Sequence, residues 1–340
     1  MVKKYTVAVV GIGMVGTEML KVLNQRCFPA KQIKVLATRA RKEMIAGREY
    51  DVEPASAEAF EGVDFAFFAG TEGSKGASQL YGWPAVERGC IVIDNGDDFR
   101  MDERVPLVVP EVNAEHLRNH RGFISNPNCS TIQMVVALAP LHRKARIKRI
   151  VVCTYQAVSG TGRAAGVELE QQVKDWAAGK EMKREVYPHR IAFNVIPQVS
   201  TLKDIFPGYY GEEIKMVREP RKIFGEPNMG VSATCVRVPV FNAHSESINV
   251  QFEKKITAEE AKQILADAPG IKLVDDPGKS VYPLAIDASG KDEVFVGRVR
   301  QDASAENCLD MWCVSDNIRK GAALNAIQIA EKMIEMGLKK

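Results

Sequence analysis

Thr6-Val7-Ala8-Val9-Val10-Gly11-Ile12-Gly13-Met14-Val15-Gly16 is the stretch that decides the fold of this chain. Its first five residues are apolar and partly β-branched, which predicts a short buried strand, and the apolar spacing after it predicts a helix. A glycine turn between strand and helix presents free backbone N–H groups, which bind a pyrophosphate. We therefore predict a dinucleotide site whose loop residues are Gly11, Gly13, Met14, Val15 and Gly16.

More buried-strand patterns follow at intervals that leave room for crossover helices. They are Lys34-Val35-Leu36-Ala37, the run 63–69 and Ile91-Val92-Ile93-Asp94. This alternation predicts an α/β fold with an N-terminal Rossmann-like, doubly wound parallel sheet. After residue 129, strand-like runs at 150–154, 232–238 and 247–252 are separated by long helical or irregular insertions. They predict a second domain of the α+β class.

The segment after the second predicted strand, Leu36 to Lys42, contains no acidic residue that could accept hydrogen bonds from both ribose hydroxyls. It offers the hydroxyl of Thr38 and the guanidinium groups of Arg39 and Arg41, which are donors that suit a 2′-phosphate. The sequence therefore favours NADP over NAD as the cofactor. A solvated basic loop is the alternative, and the main contact is left open between Arg39 and Arg41.

The composition excludes several classes of protein. With 46% hydrophobic and 26% charged residues among 340, the chain has the make-up of a globular protein large enough for two domains. The net charge of +3 is spread along the sequence, so nucleic acid is not expected as a partner. No apolar run approaches the roughly 18 residues that span a bilayer, and we expect a cytoplasmic protein without a membrane partner. Seven scattered cysteines predict reduced thiols and no metal site.

One cysteine is distinguished by its neighbours, in Ser125-Asn126-Pro127-Asn128-Cys129-Ser130-Thr131. Small and polar residues surround it, and a helical pattern begins just after it. The positive end of a helix dipole favours the thiolate, which is the form that attacks carbonyl or acyl-phosphate carbon. Gln156, Arg237 and His244 follow and add an amide, a cation and a base. We therefore predict that Cys129 is a catalytic nucleophile.

Three features together resemble the aspartate-semialdehyde dehydrogenases: the cysteine run, the run Thr154-Tyr155-Gln156-Ala157-Val158-Ser159-Gly160, and the spacing from Arg237 to His244. The resemblance covers nearly the whole chain. It implies NADP-dependent reductive dephosphorylation of aspartyl phosphate to aspartate semialdehyde through a cysteine thioester. That reaction serves lysine (through diaminopimelate), threonine and methionine biosynthesis. It also implies a homodimer, with an NADP-binding domain at 1–128 and 318–340 and a catalytic and dimerisation domain at 129–317.

The resemblance also implies roles for single residues. His244 is the acid/base that takes the thiol proton, Arg237 clamps the substrate α-carboxylate, and Gln156 positions the acyl group. Glu212 meets the substrate amino group, although a charged surface helix is the alternative for its segment. The implied phosphate ligands are Arg100, Lys215 and Asn128. The implied further cofactor ligands are Ser159, Gly160 and Asn317.

Two helices outside the motifs are also predicted. The stretch 166–179 has apolar residues near helical spacing, which predict a core face or a subunit interface. These residues are Val167, Leu169, Val173 and Trp176. The stretch 320–336 predicts a C-terminal helix with Gly337 as its C-cap. The resemblance implies that this helix packs on the N-terminal domain.

The chain departs from the family in two places. Its glycine loop is one residue shorter than usual, and Gly96-Asp97-Asp98 replaces a small serine-containing segment close to Arg100. Added carboxylates there are expected to weaken phosphate binding or to draw Arg100 away. Two other functions stay open. One is N-acetyl-γ-glutamyl-phosphate reductase, which usually has Gly before its cysteine, and the other is a non-catalytic NADP-binding paralogue.

Overall fold

The structure is a computed structural model that describes residues 3–70 and 73–339. The chain divides into two compact units. The first contains residues up to 128 and residues from 322 onward, and the second contains residues 129–321. The chain thus returns to the first unit at residue 322, four residues later than the boundary at 318 that the family resemblance implies.

The sheet of the first unit is almost entirely parallel. Its strands are β1 (Tyr5–Val10), β2 (Ala30–Ala37), β3 (Arg41–Ile45), β4 (Arg48–Pro54), β5 (Phe65–Phe68), β6 (Ile91–Asp94) and β7 (Phe123–Ser125). The order is β3-β4-β2-β1-β5-β6-β7, and every adjacent pair is parallel except β3 and β4. The predicted parallel, Rossmann-like sheet is therefore confirmed.

One expectation for this sheet is wrong. The interval between β2 and β5 forms the antiparallel pair β3 and β4 and a 3₁₀ turn instead of a crossover helix. The reason is the two-residue alternation of β4, in which Tyr50 and Val52 are buried while their neighbours are exposed. This period is that of a strand with one buried face. The basic segment therefore leads into an edge strand that begins at Arg41.

Nine α-helices are assigned in the described part of the chain. They are α1 (Met14–Gln25), α2 (Ala77–Glu87), α3 (Pro110–Asn113), α4 (Cys129–Ala145), α5 (Arg163–Ala177), α6 (Gly211–Phe224), α7 (Ala258–Ala266), α8 (Ala285–Ala288) and α9 (Leu324–Glu335). None of the described helices is long and apolar enough to span a membrane. The predicted C-terminal helix is present as α9, which packs against α1 in the first unit. Arg26 and Glu331 join these two helices by a salt bridge of 2.7 Å.

The second unit contains a mixed sheet covered on one face by helices. Its strands are β8 (Ile147–Gln156), β9 (Gly230–Arg237), β10 (His244–Phe252), β11 (Ile271–Leu273), β12 (Val294–Gln301) and β13 (Cys308–Ser315). Their order is β11-β12-β13-β10-β8-β9. Helix α4 packs on β8, β10 and β13, and α6 packs on β9. The predicted α+β class of this domain is confirmed.

The apolar stripe of α5 does not lie in the core of this chain. Leu169 is buried, but Val167 and Trp176 are each 59% exposed and Val173 is 39% exposed. The Trp176 ring contacts the ring of Phe193, which is also exposed, at a centroid distance of 4.9 Å. The core interpretation is therefore wrong for three of the four residues, and the subunit-interface interpretation stays a prediction.

Gly297 on β12 offers a test of the packing in the second unit. A Cβ at this position would lie 2.1 Å from the carbonyl oxygen of Val274 and 2.6 Å from Cδ of Pro283. We expect Gly297→Ala to lower the free energy of unfolding by about 3 kcal/mol, because backbone must move to admit the methyl group. Urea unfolding followed by circular dichroism measures this change.

The matched control is Gly166→Ala in α5, where an added Cβ meets no atom within 4 Å. This substitution removes a flexible residue from a helix, so the unfolding midpoint should stay the same or rise slightly. Equal midpoints for Gly297→Ala and the unmodified protein would contradict the packing described here.

Candidate active site

Four buried polar side chains form a row across the sheet of the second unit. The pairing of β10 with β13 sets His244 opposite Ser315, and the pairing of β8 with β9 sets Gln156 opposite Arg237. Strand β10 lies beside β8, where the N–H of Ala157 donates to Nδ1 of His244 at 3.0 Å. Paired residues point to the same side of a sheet. We call Ser315, His244, Gln156 and Arg237 the site row.

The imidazole of His244 is neutral and has a defined tautomer. Its Nδ1 accepts the hydrogen bond from Ala157, so the single proton of the neutral ring lies on Nε2. Burial lowers the pKa of His244 to about 3, and the charge of Arg237 acts in the same direction. Nε2 is buried and has no hydrogen-bond partner among the described residues. The ring therefore offers an unused N–H donor.

The guanidinium of Arg237 is almost completely buried. Its Nη1 donates to the carbonyl oxygen of Ala157 at 2.6 Å, while Nε has no partner in the described part of the chain. A Cβ at Gly160 would lie 2.9 Å from Nη1 of Arg237 and 3.2 Å from Nε2 of His244. Because a buried cation without a counter-ion is costly, the site is suited to an anionic ligand.

The amide of Gln156 links the sheet to two helices. Its Nε2 donates to Oγ of Ser130 at 3.0 Å and to Oε1 of Glu212 at 3.1 Å. Ser130 follows Cys129 in the first turn of α4, and Glu212 lies in the first turn of α6. Glu212 is buried and lies 3.6 Å from Nζ of Lys215. The alternative of a solvated surface helix therefore does not apply to Glu212.

Cys129 is the first residue of α4 and is partly exposed. The backbone of Gly321 approaches it closely, since a Cβ on Gly321 would lie 2.8 Å from Cβ of Cys129. None of the seven cysteines forms a disulfide. Burial raises the pKa of Cys90 to about 11 and the pKa values of Cys235 and Cys313 well above the usual range, which makes these thiols inert.

Ser159 and Asn317, both predicted as cofactor ligands, meet within the second unit. Oδ1 of Asn317 accepts from Oγ of Ser159 at 3.0 Å and from the N–H of Ala243 at 3.1 Å. Nδ2 of Asn317 is buried and has no partner among the residues that the structure describes. Because buried polar groups are normally hydrogen-bonded, this donor is available to a ligand.

The glycine loop of the first unit borders a cavity of about 610 Å³. Gly11 has φ +89°, and a Cβ on Gly16 would lie 1.8 Å from the carbonyl oxygen of Gly11, so the turn requires glycine at both positions. Met14, Val15 and Gly16 open α1. The lining includes Gly11, Gly13, Thr38, Arg41, Lys75 and Tyr81. Arg39 is not among the lining residues in the described part of the chain.

Arg100, also in the first unit, is held by backbone. Its Nε donates to the carbonyl oxygen of Asn126 at 3.0 Å, and its Nη2 donates to that of Asn95 at 2.6 Å. Asp98 accepts from the N–H of Gly73 at 3.1 Å. The two hydrogen bonds of Arg100 hold its guanidinium beside Asn126, two residues before the buried Asn128.

Several residues at the site carry no motif that would identify them in sequence. Ser130 and Gly321 contact the site through positions set by tertiary packing, and Lys75 and Tyr81 line the cavity from a region remote from the glycine loop. Thr154 also lies at the site, where its Oγ1 accepts a hydrogen bond from Nε2 of Gln156 at 3.3 Å. Its position two residues before Gln156 on the same strand is a sequence signal that could have identified it. Among the described residues, no group of three or more His, Cys, Asp or Glu could hold a metal ion.

Comparison with known proteins agrees with this arrangement. The model "Semialdehyde dehydrogenase, NAD binding domain" matches residues 6–120, and "Semialdehyde dehydrogenase, dimerisation domain" matches residues 138–320. The aspartate-semialdehyde dehydrogenase of Aquifex aeolicus is 49% identical and is matched over 98% of this chain and 99% of its own. The Bacillus subtilis enzyme is 45% identical over 98% of each chain.

A solved structure is similar over the same extent. Aspartate semialdehyde dehydrogenase II from Vibrio cholerae is 41% identical, with a TM-score of 0.92 over 98% of this chain and 99% of its own. That protein has also been solved in complex with ASA. The resemblance that the sequence motifs indicated is confirmed by these matches. This chain belongs to the aspartate-semialdehyde dehydrogenase family.

Proposed function

We propose that this protein is a homodimeric, NADP-dependent aspartate-semialdehyde dehydrogenase that converts aspartyl phosphate to aspartate semialdehyde in lysine, threonine and methionine biosynthesis. The site row carries the proposal. It sets a neutral imidazole, an amide bonded to the first turn of the Cys129 helix and a buried guanidinium side by side. The family assigns the enzyme class and a nicotinamide cofactor.

The covalent step begins at Cys129. Its thiolate attacks the acyl carbon, so that a C–S bond forms, the bond to the phosphate oxygen breaks, and phosphate leaves. The backbone N–H groups at the start of α4 favour the thiolate and stabilise the oxyanion that develops on the acyl oxygen. We assign the phosphate to Arg100, Lys215 and Asn128.

Specificity for an amino acid comes from two buried charges. Arg237 binds the α-carboxylate, which supplies the anion that its unpartnered Nε requires. Glu212 binds the α-ammonium group, and its bond to Gln156 keeps the carboxylate in place. These opposite charges select a substrate that carries both groups on one carbon.

His244 acts as a hydrogen-bond donor. In its neutral tautomer, Nε2–H donates to the oxygen of the thioester and stabilises the negative charge that forms there on reduction. When the C–S bond breaks, the electron pair on oxygen restores the carbonyl, and Cys129 leaves as the thiolate. We propose this donor role in place of the proton abstraction from the thiol, because Nδ1 is occupied and Nε2 carries the proton.

The cavity beside the glycine loop fits a dinucleotide, since only glycine is accommodated where the turn approaches backbone. NADPH bound there would supply the hydride. We propose Gly11, Gly13, Met14, Val15 and Gly16 for the pyrophosphate, and Thr38 and Arg41 for the 2′-phosphate. Ser159, Gly160 and the unpartnered amide of Asn317 are proposed as further cofactor ligands on the second unit.

The homodimer is proposed from the family's dimerisation domain, which spans most of the second unit. The exposed apolar residues of α5, together with Phe193, are the surface that we assign to contact with a second copy. N-acetyl-γ-glutamyl-phosphate reductase is disfavoured because Asn128, and not Gly, precedes Cys129 and because the chain carries Thr154-Tyr155-Gln156. A non-catalytic paralogue is disfavoured because Cys129, Gln156, Arg237 and His244 are all present and three of them share one row.

Substitution of the nucleophile tests the function directly. We expect the unmodified protein to reduce NADP with aspartate semialdehyde only when phosphate is present, and Cys129→Ala to lower this rate at least ~10³-fold, because the covalent step is lost. NADPH absorbance measures the rate. Cys153→Ala, which removes another partly exposed thiol of the same unit, should keep near-normal activity. Turnover by Cys129→Ala above a tenth of the unmodified rate would refute the mechanism.

The protonation state of His244 predicts a pH dependence of stability. The folded-state pKa of about 3 lies below the usual value of 6.5, so between these values the unfolded chain binds a proton that the folded protein does not. The free energy of unfolding is therefore unaffected by this group above pH 6.5, and it decreases as the pH falls from 6.5 towards 3. At pH 4.5 the loss from this group is on the order of 2 to 3 kcal/mol. Urea unfolding at pH 7.5 and 4.5 measures it.

His244→Asn serves as the comparison, because its Oδ1 can accept the hydrogen bond from Ala157 without titrating. Between pH 7.5 and 4.5, the free energy of unfolding of this variant should fall by about 2 to 3 kcal/mol less than that of the unmodified protein. Parallel stability curves for the two proteins would show that His244 does not titrate as described.

The cavity lining predicts which arginine sets cofactor preference. Arg41 lines the cavity, donates to Glu43 at 2.9 Å and to the carbonyl of Arg39 at 3.2 Å, and is thereby oriented. We expect Arg41→Ala to reduce the preference for NADP over NAD by about 10- to 100-fold in kcat/KM, which corresponds to one charged hydrogen-bonding partner. Arg39→Ala is the matched control and should change the ratio less than about threefold. A larger effect at Arg39 would reverse the assignment.

A further inference from the structure

A second row of side chains lies one step below the site row on the same face of the sheet. Residues two apart on a strand point to the same side, so Glu246 lies below His244 on β10. Cys313 on β13 and Thr154 on β8 are the residues paired with Glu246. We call Cys313, Glu246 and Thr154 the second row.

Helix α4 covers the second row at Gln133. This residue follows Cys129 by four positions and therefore lies on the same face of the helix. The Sγ of Cys313 donates to the carbonyl oxygen of Gln133 at 3.7 Å. Because Cys313 is the residue paired with Glu246, this contact brings Gln133 over the second row. The first turns of α4 thus rest on the strand positions directly beneath His244.

Glu246 and Gln133 are both fully buried and leave four polar atoms without partners. The two carboxyl oxygens, the amide oxygen and the amide nitrogen make no hydrogen bond to any described residue. The groups that face Glu246 from the two adjacent strands are the thiol of Cys313 and the hydroxyl of Thr154. The thiol of Cys235 lies one strand further away, and His244 above Glu246 is neutral. None of them offers a positive charge.

An ionised carboxylate in this position would be very costly, because Glu246 is fully shielded from solvent and forms no salt bridge with any described residue. Burial accordingly raises the pKa of Glu246 well above its usual value, and the amide of Gln133 opposes this only in part. The carboxyl group therefore holds its proton at neutral pH. A protonated carboxyl group and a primary amide each carry one donor and one acceptor that suit the other.

We propose that Glu246 is a neutral carboxylic acid paired with the amide of Gln133, and that this pair positions Cys129 relative to His244. A rotation of the two side chains that brings them within hydrogen-bond distance lets the O–H of Glu246 donate to Oε1 of Gln133 and Nε2 of Gln133 donate to the second carboxyl oxygen, which satisfies all four buried atoms. The pair joins α4, which carries the nucleophile, to β10, which carries the imidazole. Glu246 is a positioning residue and does not touch the substrate. The inference rests on the proposed function, since it assigns the pair a part in that reaction.

Two variants separate positioning from stability. Glu246→Gln keeps a donor and an acceptor, so kcat should stay within about threefold of the unmodified enzyme. The double variant Gln133→Leu/Glu246→Leu replaces the polar pair with apolar side chains, and its unfolding midpoint should be equal or higher. Its kcat should nevertheless fall about 10- to 100-fold with an unchanged KM for NADP, because the reacting groups lose their alignment.

Ile248→Val is the matched control on the same face of β10. It should lower the unfolding midpoint without changing kcat, since it removes packing but not the polar pair. If the double variant keeps normal kcat, or if Glu246→Gln is as impaired as the double variant, the positioning role is refuted.

Infrared spectroscopy tests the proton on Glu246 without any activity measurement. At pH 7.5 the unmodified protein should show the C=O band of a protonated, buried carboxylic acid, and Glu246→Gln should lack it. Absence of the band in the unmodified protein would overturn the neutral pair. An unmodified protein that shows the band but has no activity toward aspartate semialdehyde would refute the proposed function and leave the neutral pair supported.

Discussion

The register of four strands, β13, β10, β8 and β9, is the constraint on which the candidate active site depends. Because side chains alternate along a strand, a slip of one residue would turn His244 away from Gln156 and Arg237. The same register places Glu246, Thr154 and Cys235 beneath them. The site is therefore one row of a sheet whose next rows are core, and the hydrophobic residues below keep the polar row in position.

Burial away from solvent explains the charge states of three side chains in this sheet. His244 loses its charge when buried, because a neutral imidazole is available to it. Glu246 responds in the same way by keeping its proton. Arg237 cannot become neutral, so it keeps its charge, and its Nε has no partner among the described residues. One physical effect thus yields a hydrogen-bond donor, a neutral carboxyl group and a buried cation in the same sheet.

Helix α4 connects these groups to the nucleophile. Cys129 lies at its first position, Ser130 accepts the hydrogen bond from Gln156, and Gln133 rests on the second row. A helix is rigid over this distance, so each contact restricts the position of the thiol. Gly321 approaches Cys129 so closely that a Cβ at this position would collide with it. The thiol is thereby positioned by groups from several elements that lie far apart in the chain.

Features that depend on neighbouring residues were determined by the sequence alone. These include the strand, glycine turn and helix at 6–25, the helix that begins at Cys129, and the thiol at its first position, because each follows from local periodicity and local polarity. The β3–β4 pair and the exposed stripe of α5 were decided by the tertiary structure, since burial depends on what packs opposite. The tautomer of His244, the position of Arg41 but not Arg39 in the cavity lining, and the complete burial of Glu246 and Gln133 were decided in the same way. Their physical cause is desolvation and close contact between residues distant in sequence, which no local pattern of side chains encodes.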